Sequence, residues 1–349
     1  MKRIIILLIL AVIGFQVLST LYHAGVFDDI NTHSKLTDIN IYTNVAGTED
    51  LEIDVAKGIL FISSTDRWKL AKQQTTDDGI FVLPLNSTSA PVKLTTTYQG
   101  DFHPHGISYF SKDGHDYLFV VNHNRDGDFV ELFEFKNDQL IHLRSFSDQI
   151  MCCANDVVAV DVDKFYVTND HGTKKGWMRY AEDYLRVADA SVLYFDGQNY
   201  KTVYDNLNYA NGINVSADSK TLYVTEATGR RISVLDIEPT SGELQLRFIK
   251  DLQSGVDNIT IDTDGNLWIG AHPKLLDFTA HAKNNGAYSP SQVLKLTAKG
   301  NNDFTVDEIY LNGGEEISGS STALYHNGKV YIGVVFENKL LKGSYQEAL

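Results

Sequence analysis

A short strand, a polar or glycine-containing turn and a second β-branched or aromatic strand follow one another six times along this chain. The copies start at Leu51 (LEIDVAKGILFISS), Gly106 (GISYFSKDGHDYLFVVN), Asp156 (DVVAVDVDKFYVTND), Gly212 (GINVSADSKTLYVTE), Asn258 (NITIDTDGNLWIGA) and Ser321 (STALYHNGKVYIGV), at separations of 55, 50, 56, 46 and 63 residues. Turns such as Asp113-Gly114, Asp264-Gly265 and Asn327-Gly328 make each copy a hairpin. The spacing leaves room for two further strands per copy, which is the size of a four-stranded propeller blade. The pattern predicts an all-β chain folded as a six-bladed β-propeller over residues 35–345, with outer strands at 79–85, 130–135, 191–195 with 201–204, 232–237 with 244–249, and 292–296. Residues 38–44 (DINIYTN) are placed to close the ring by pairing with the last blade.

One segment breaks the β rhythm. In 174–190, Trp177, Tyr180, Tyr184 and Val187 recur at helical spacing among charges, which predicts a short amphipathic helix on a connection: a packed loop helix, a lid over a site, or a membrane-facing surface.

Ahead of the repeats, Lys2 and Arg3 precede an apolar run from Ile4 to Phe15 that continues more weakly to Tyr22. This reads as a signal peptide or signal-anchor over residues 1–22, and the lack of a clean small-x-small cleavage site favours an uncleaved anchor. The propeller is then expected outside the cytoplasm, membrane-anchored, or secreted or periplasmic if the segment is cleaved. Export permits disulfides, yet Cys152 and Cys153 are the only cysteines and are adjacent, so they are expected as two small buried thiols. Asn86, Asn214 and Asn258 open N-x-Ser/Thr triplets.

Charge narrows the partners. With 30 Lys and Arg against 45 Asp and Glu the net charge is −15, which argues against nucleic acid and against charge-driven attraction to anionic lipid. Membrane association would have to come from the apolar N-terminus.

The polar residues gather at one station of the repeat. At the start of the first strand stand Glu49 and Asp50, His105, Asn155 and Asp156, Asn211, and Asp257 and Asn258. Any one of these could be a turn residue satisfying local backbone. Equivalent positions in a propeller face the same end of the central channel, so seven acidic or amide side chains from four blades converge there with one histidine. Carboxylate and amide oxygens without thiolate suit Ca²⁺, with six to eight oxygen ligands, better than Zn²⁺; Mg²⁺ would need waters to complete an octahedron. One ion or two would fit the charge.

Histidines form a second group. His105 starts an inner strand and His123 ends the strand paired with it, while His103, His171 and His272 flank other inner strands. A lone strand-end histidine is usually structural; a pair beside a metal ring is a candidate general base and its partner. No Gly-x-Ser-x-Gly nucleophile motif is present.

EDLEID at Glu49, PHGIS at Pro104, VVNH at Val120, NDVVAV at Asn155, TNDH at Thr168, ANGINVS at Ala210, VDNITID at Val256 and GAHP at Gly270 occur in an order, and over a length, that resembles the paraoxonase/arylesterase family of calcium-dependent lactonases. The resemblance implies a six-bladed propeller with two calcium ions in its tunnel. It implies that Glu49, Asn155, Asn211, Asp257 and Asn258 hold a catalytic ion. Asp50, Asp156 and the Ile107 carbonyl would hold a structural one. It further implies that His105 is the base that activates water, with His123 as proton shuttle, and that His272 lines the substrate pocket, where His171 is also placed. Vertebrate members join their two ends by a disulfide; this chain has no cysteine near either end, so closure is left to strand pairing and packing.

The expected activity is therefore hydrolysis of lactones and aryl esters, small-molecule substrates, with Ca²⁺ stabilising the oxyanion. Two other readings remain: a gluconolactonase or regucalcin-like propeller with one divalent ion, and a non-catalytic exported binding platform with structural calcium.

Overall fold

The computed structural model describes residues 2–85, 89–300 and 302–347. Six antiparallel sheets are arranged in sequence order. Blade one begins with strand Thr48–Asp54, blade two with Pro104–Lys112, blade three with Ala154–Asp161, blade four with Ala210–Val215, blade five with Gly255–Ile261 and blade six with Ser320–His326. These first strands touch one another in cyclic order, so they line the channel, and each blade runs outwards from them through four strands. The ring closes as expected: Thr37–Tyr42 supplies the outer strand of blade six by antiparallel pairing with Leu340–Ser344. A further strand, His33–Ser34, adds to the outer edge of blade five and is not marked by the repeat.

The apolar residues of each strand serve two layers, because successive side chains point to opposite faces. In Ile59–Ser64, Leu60 and Ile62 pack towards blade six while Phe61 packs towards blade two. In Lys164–Asn169, Phe165 and Val167 pack towards blade two while Tyr166 packs towards blade four. The core is thus six layers, one at each blade interface, rather than a single centre.

Four helices lie among the described residues: α1 (Lys2–His23), α2 (Arg67–Ala71), α3 (Trp177–Leu185) and α4 (Leu275–Lys283). By length and composition α1 could cross a bilayer, and none of its described residues is buried. Helix α3 is shorter than the 174–190 pattern suggested, because Gly176 at φ 103° precedes it and Arg186 in the left-handed region ends it. Its Trp177 and Tyr180 are 76% and 67% exposed, while Ala181 and Glu182 are buried against the propeller. Helices α2 and α4 sit in connections that the repeat does not describe.

The N-x-Ser/Thr triplets do not offer free acceptors where they are described. Asn258 is buried, and Asn214 Nδ2 is bonded to the Ile259 carbonyl at 2.9 Å; Asn86 lies outside the described residues. Cys152 and Cys153 are both free thiols, with Cys153 buried.

Candidate active site

Each inner strand carries a register shift at the same place. The shifts fall between Thr48 and Asp50, Pro104 and Ile107, Ala154 and Val157, Ala210 and Ile213, Val256 and Ile259, and Ser320 and Thr322. A β-bulge sets two residues against one and re-aims their side chains. Here the bulged residues include Glu49, His105, Asn155, Asp156, Asn211, Asp257 and Asn258, which is how consecutive polar residues, normally on opposite faces of a strand, both reach the channel. Glycine makes the approach possible: a Cβ at Gly106 would lie 2.5 Å from the Asp156 Cα, and one at Gly212 would lie 2.7 Å from the Asn258 Cα.

The upper ring consists of Glu49, Asn155, Asn211, Asp257 and Asn258, all buried. Asn258 Nδ2 donates to Glu49 Oε1 at 2.7 Å and to the Glu49 carbonyl at 3.0 Å. His272 Nε2 lies 2.8 Å from Asp257 Oδ2, and its ring stacks on Phe278 with centroids 3.8 Å apart. After these bonds one oxygen on each residue is left over: Glu49 Oε2, Asn155 Oδ1, Asn211 Oδ1, Asp257 Oδ1 and Asn258 Oδ1 are buried without a hydrogen-bond partner. Buried polar atoms are normally satisfied, so five orphans on one ring ask for a shared partner. Among the described residues no three His, Cys, Asp or Glu side chains group closely enough to hold a metal by themselves; the converging set is two carboxylates and three amides. Burial, with Asp257 close by, pushes the Glu49 carboxyl up to about 7 despite the opposing pull of Arg67.

One layer deeper, Asp50 and Asp156 act between blades. Asp50 accepts the N–H groups of Leu51 and Ile107, both at 2.8 Å. Asp156 accepts those of Val157 at 2.7 Å and Ile213 at 2.8 Å. Burial, followed by repulsion from Glu49 on Asp50 and from Asp50 on Asp156, raises both carboxyls well above the usual range. Both oxygens of each of these carboxylates accept a backbone N–H, whereas every residue of the ring above keeps one buried oxygen without a partner.

A cavity of about 320 Å³ opens over the upper ring. His105 and His123 stand in its wall with ring centroids 4.8 Å apart and planes at 78°. Pairing of Pro104 with Asn122 across the hairpin puts the two rings side by side. His105 Nε2 is 3.6 Å from Glu49 Oε1. Its other nitrogen, Nδ1, is 2.7 Å from Arg67 Nη2; burial first, then the charge of Arg67, pushes its imidazole well below the usual range. His123 Nδ1 faces Asp128 Oδ1 at 3.4 Å.

His272 lines the cavity. His171 does not: it stands behind the wall, because Nδ1 is held by Asp170 at 2.6 Å and Nε2 by Asp183 at 2.8 Å. Burial disfavours its charge, but those two hydrogen bonds prevail and bring its imidazole up to about 9. The residues that face the cavity there are Asp170, Asp183, Arg179 and Tyr209. His103 is also tied up, 2.6 Å from Asp78 and 3.2 Å from Asp101.

Arg67, Asp128, Arg179 and Phe278 are site residues that the repeat does not reveal. Asp128 alone had a sequence signal: in the hairpin NHNRDGD it falls directly opposite His123. Further parts of the wall are Thr20 and His23 of α1, Ala24 just beyond it, and Leu275 and Leu276 of α4.

Comparison with known proteins agrees with the motif order. Residues 36–342 match the family described as Arylesterase. The chain is 32% identical to human serum paraoxonase/arylesterase 2 over 305 residues, covering 84% of this chain and 85% of that one. It is 31% identical to human serum paraoxonase/arylesterase 1 over 323 residues, covering 88% of each. Among solved structures, a gluconolactonase from Xanthomonas campestris superimposes with a TM-score of 0.56 at 16% identity, over 90% of this chain and 92% of its own, a likeness of fold alone. By sequence over nearly the whole propeller, the chain belongs to the paraoxonase/arylesterase family.

Proposed function

We propose that this protein is a calcium-dependent hydrolase of lactones and aryl esters. The observation that carries the reading is the ring of five buried, partnerless oxygens beneath a cavity walled by a histidine pair. An oxygen-only set of two carboxylates and three amides suits a hard cation of irregular geometry. Glu49, Asn155, Asn211, Asp257 and Asn258 would hold one calcium ion, and Asp50, Asp156 and the Ile107 carbonyl a second. The first ion, when bound, supplies a Lewis acid for the ester carbonyl oxygen.

The chain's own groups do the rest. The cavity has room for a lactone or a phenyl ester, and Leu275, Leu276, Phe278 and Val335 give it apolar walls that shed water from the substrate. His272 fixes the Asp257 carboxylate, so that Oδ1 stays turned to the ring. His105 and His123 take the proton of the attacking water, with His105 as base and His123 as its partner in the family's scheme. No covalent enzyme intermediate is needed. The apolar α1 fits a signal-anchor that keeps the propeller at a membrane surface outside the cytoplasm.

The test uses the full chain in detergent, with a panel of lactones and phenyl acetate, first with calcium and then with excess chelator. Hydrolysis that stops with chelator and returns with calcium is the expected result. No hydrolysis by a folded, calcium-loaded protein would overturn it. Calorimetric titration separates two bound ions from the single ion of a gluconolactonase-like site.

A further inference from the structure

Arg186 is a cation of the cavity wall that the chain itself leaves without an anion. It ends α3 at φ 57° and ψ 44°, a left-handed backbone usually given to glycine or asparagine, and it lines the cavity. Among the described residues its side chain makes no ion pair and no hydrogen bond. Nε is shielded from solvent and partnerless, whereas the two Nη atoms keep solvent access. A guanidinium only donates and stays protonated, so the partner it lacks is an acceptor.

The neighbouring charges are already spent. Arg230 is paired with Asp28 at 2.6 Å, and Arg231 grips Glu226 through Nε at 2.8 Å and Nη2 at 2.7 Å. Glu226 also accepts from the Ser233 hydroxyl and the Asn208 N–H, both at 2.8 Å, so its oxygens are occupied. Burial, then the charges of Arg231 and Arg230, push the Arg186 guanidinium below its usual range, a penalty that an anion alongside would relieve. Elsewhere on the wall the signs cancel. Asp170 Oδ1 is 2.6 Å from His171 Nδ1 and 3.7 Å from Arg179 Nη1, and Asp183 Oδ1 is 2.8 Å from His171 Nε2. Against burial, the two carboxylates bring His171 up to about 9, so two anions there face two cations at neutral pH. Glu49 and Asp257 match the charge of the calcium ion that the ring would hold. Arg186 is the charge left over, and it shares one cavity of about 320 Å³ with that ring.

We propose that Arg186 is a specificity-determining residue, the anion subsite of the cavity, and that the substrates it selects are lactones or esters carrying a carboxylate remote from the scissile carbonyl. The inference rests on the hydrolase reading and adds to it a charged class of substrate. The planar fork of Nη1 and Nη2 matches the two oxygens of a carboxylate. Leu275, Leu276 and Phe278, in the same cavity, suit the apolar stretch that joins the charged end to the carbonyl. The carboxylate takes no part in bond making or breaking; it holds the far end of the substrate.

The experiment uses full-length, calcium-loaded protein in neutral detergent and two matched sets of substrates. One set is the monophenyl esters of adipate, pimelate and suberate; the other is the same esters with the far carboxylate converted to a primary amide. The readout is the ratio of kcat/KM, acid over amide, at each chain length, so that any change in turnover common to both cancels. Expected is a ratio of about 10 or more at one length at least, the order of a charge-assisted hydrogen bond. Arg186→Asn, which suits the left-handed backbone and so keeps the end of α3, should bring that ratio to about 1. Arg186→Lys should keep part of it, through KM rather than kcat. Monoanilides of the same diacids, which resist hydrolysis, are titrated by calorimetry on wild type and Arg186→Asn. A wild-type ratio near 1 at every length, in protein that hydrolyses phenyl acetate, overturns the proposal, and so does a preference that Arg186→Asn retains. If neither phenyl acetate nor any of the diacid esters is hydrolysed, the hydrolase reading fails and the anilides decide the subsite alone. Binding that weakens about tenfold in Arg186→Asn supports it, and equal binding overturns it.

Discussion

Asn258 Nδ2 donates to Glu49 Oε1 at 2.7 Å, joining blade five to blade one across 209 residues of sequence. The bond fixes where the remaining oxygens point. With its amide nitrogen committed, Asn258 must turn Oδ1 away from Glu49, and Glu49 is left with Oε2; both atoms end in the ring, buried and without partners. A pair built only for ring closure would be expected to satisfy itself. This one leaves two buried acceptors, one on each residue, without a protein donor, as ligands to a hard cation would be.

Asn155 allows the ligand role to be separated from a structural one. Its Oδ1 has no protein partner to lose, so Asn155→Leu should leave the calcium-free protein melting at or above the wild-type temperature. Calcium at 100 times the wild-type Kd should stabilise the wild type by about 2.7 kcal/mol. If the variant binds about 100-fold more weakly, its gain falls to about 0.4 kcal/mol by the same relation. Thermal melts with and without calcium check this, and an unchanged calcium-induced rise in Asn155→Leu would remove the residue from the ring.

Gly106 is a site where one methyl group should matter. A Cβ there would run into the Asp156 carboxylate and lie 2.5 Å from the Asp156 Cα. Gly106→Ala must therefore push blades two and three apart at the channel, at a cost of about 1–3 kcal/mol typical of overpacking. Urea unfolding should show the shift in midpoint, together with weaker calcium binding because Asp156 moves. A midpoint equal to wild type would mean that the inner strands tolerate more separation than their spacing suggests.

The spacing of the repeats carried the blade count, the ring closure and the shared polar station, because each copy could be compared with five others. What it could not carry lies where nothing repeats. Arg67 and Phe278 sit on connection helices with no counterpart in other blades. The six bulges leave no mark except pairs of adjacent polar residues, which also occur in ordinary turns. His171 and His272 look alike in sequence: His272 ends the second strand of its blade and His171 follows the end of its own by two residues. They differ through what arrives from elsewhere: His272 meets Asp257 of the ring at 2.8 Å, whereas His171 is turned back by Asp183 from α3 at 2.8 Å.

That contact gives α3 a pH dependence. The imidazole of His171 stands at about 9 against an ordinary 6.5, raised in the folded state, so its contribution is complete below pH 6.5 and is lost as pH rises through 9. The shift corresponds to roughly 3 kcal/mol as an order of magnitude. Wild-type stability to urea should decline between pH 6.5 and 9, and His171→Gln should flatten that decline by removing the titrating group. Proteolysis near Lys174 and Lys175, just ahead of α3, should quicken over the same interval in the wild type. A decline of equal slope in both proteins would place the pH dependence elsewhere.

The N-terminal segment is also part of the cavity. Thr20, His23 and Ala24 line it, and the chain that follows is stapled to the propeller: the Leu275 N–H donates to the Ala24 carbonyl at 3.0 Å, and Arg230 donates to the Tyr22 carbonyl at 2.9 Å and to Asp28 at 2.6 Å. Thr20 donates to the Tyr184 carbonyl at 2.5 Å, tying α1 to α3. None of these residues belongs to the calcium ring, so a protein lacking residues 2–28 should still bind calcium with wild-type affinity. It should instead lose substrate contacts at the mouth. Each methylene no longer covered is worth about 0.8 kcal/mol, or about fourfold, so KM for esters with long acyl chains should rise about 4- to 10-fold while phenyl acetate is little affected. Arg230→Ala, which loosens the staple without deleting it, should shift KM in the same direction by less. Equal KM values for full-length and truncated protein across the acyl series would show that the helix end is a bystander; the cavity geometry predicts a slope that grows with chain length, because only the longer chains reach the wall that α1 provides.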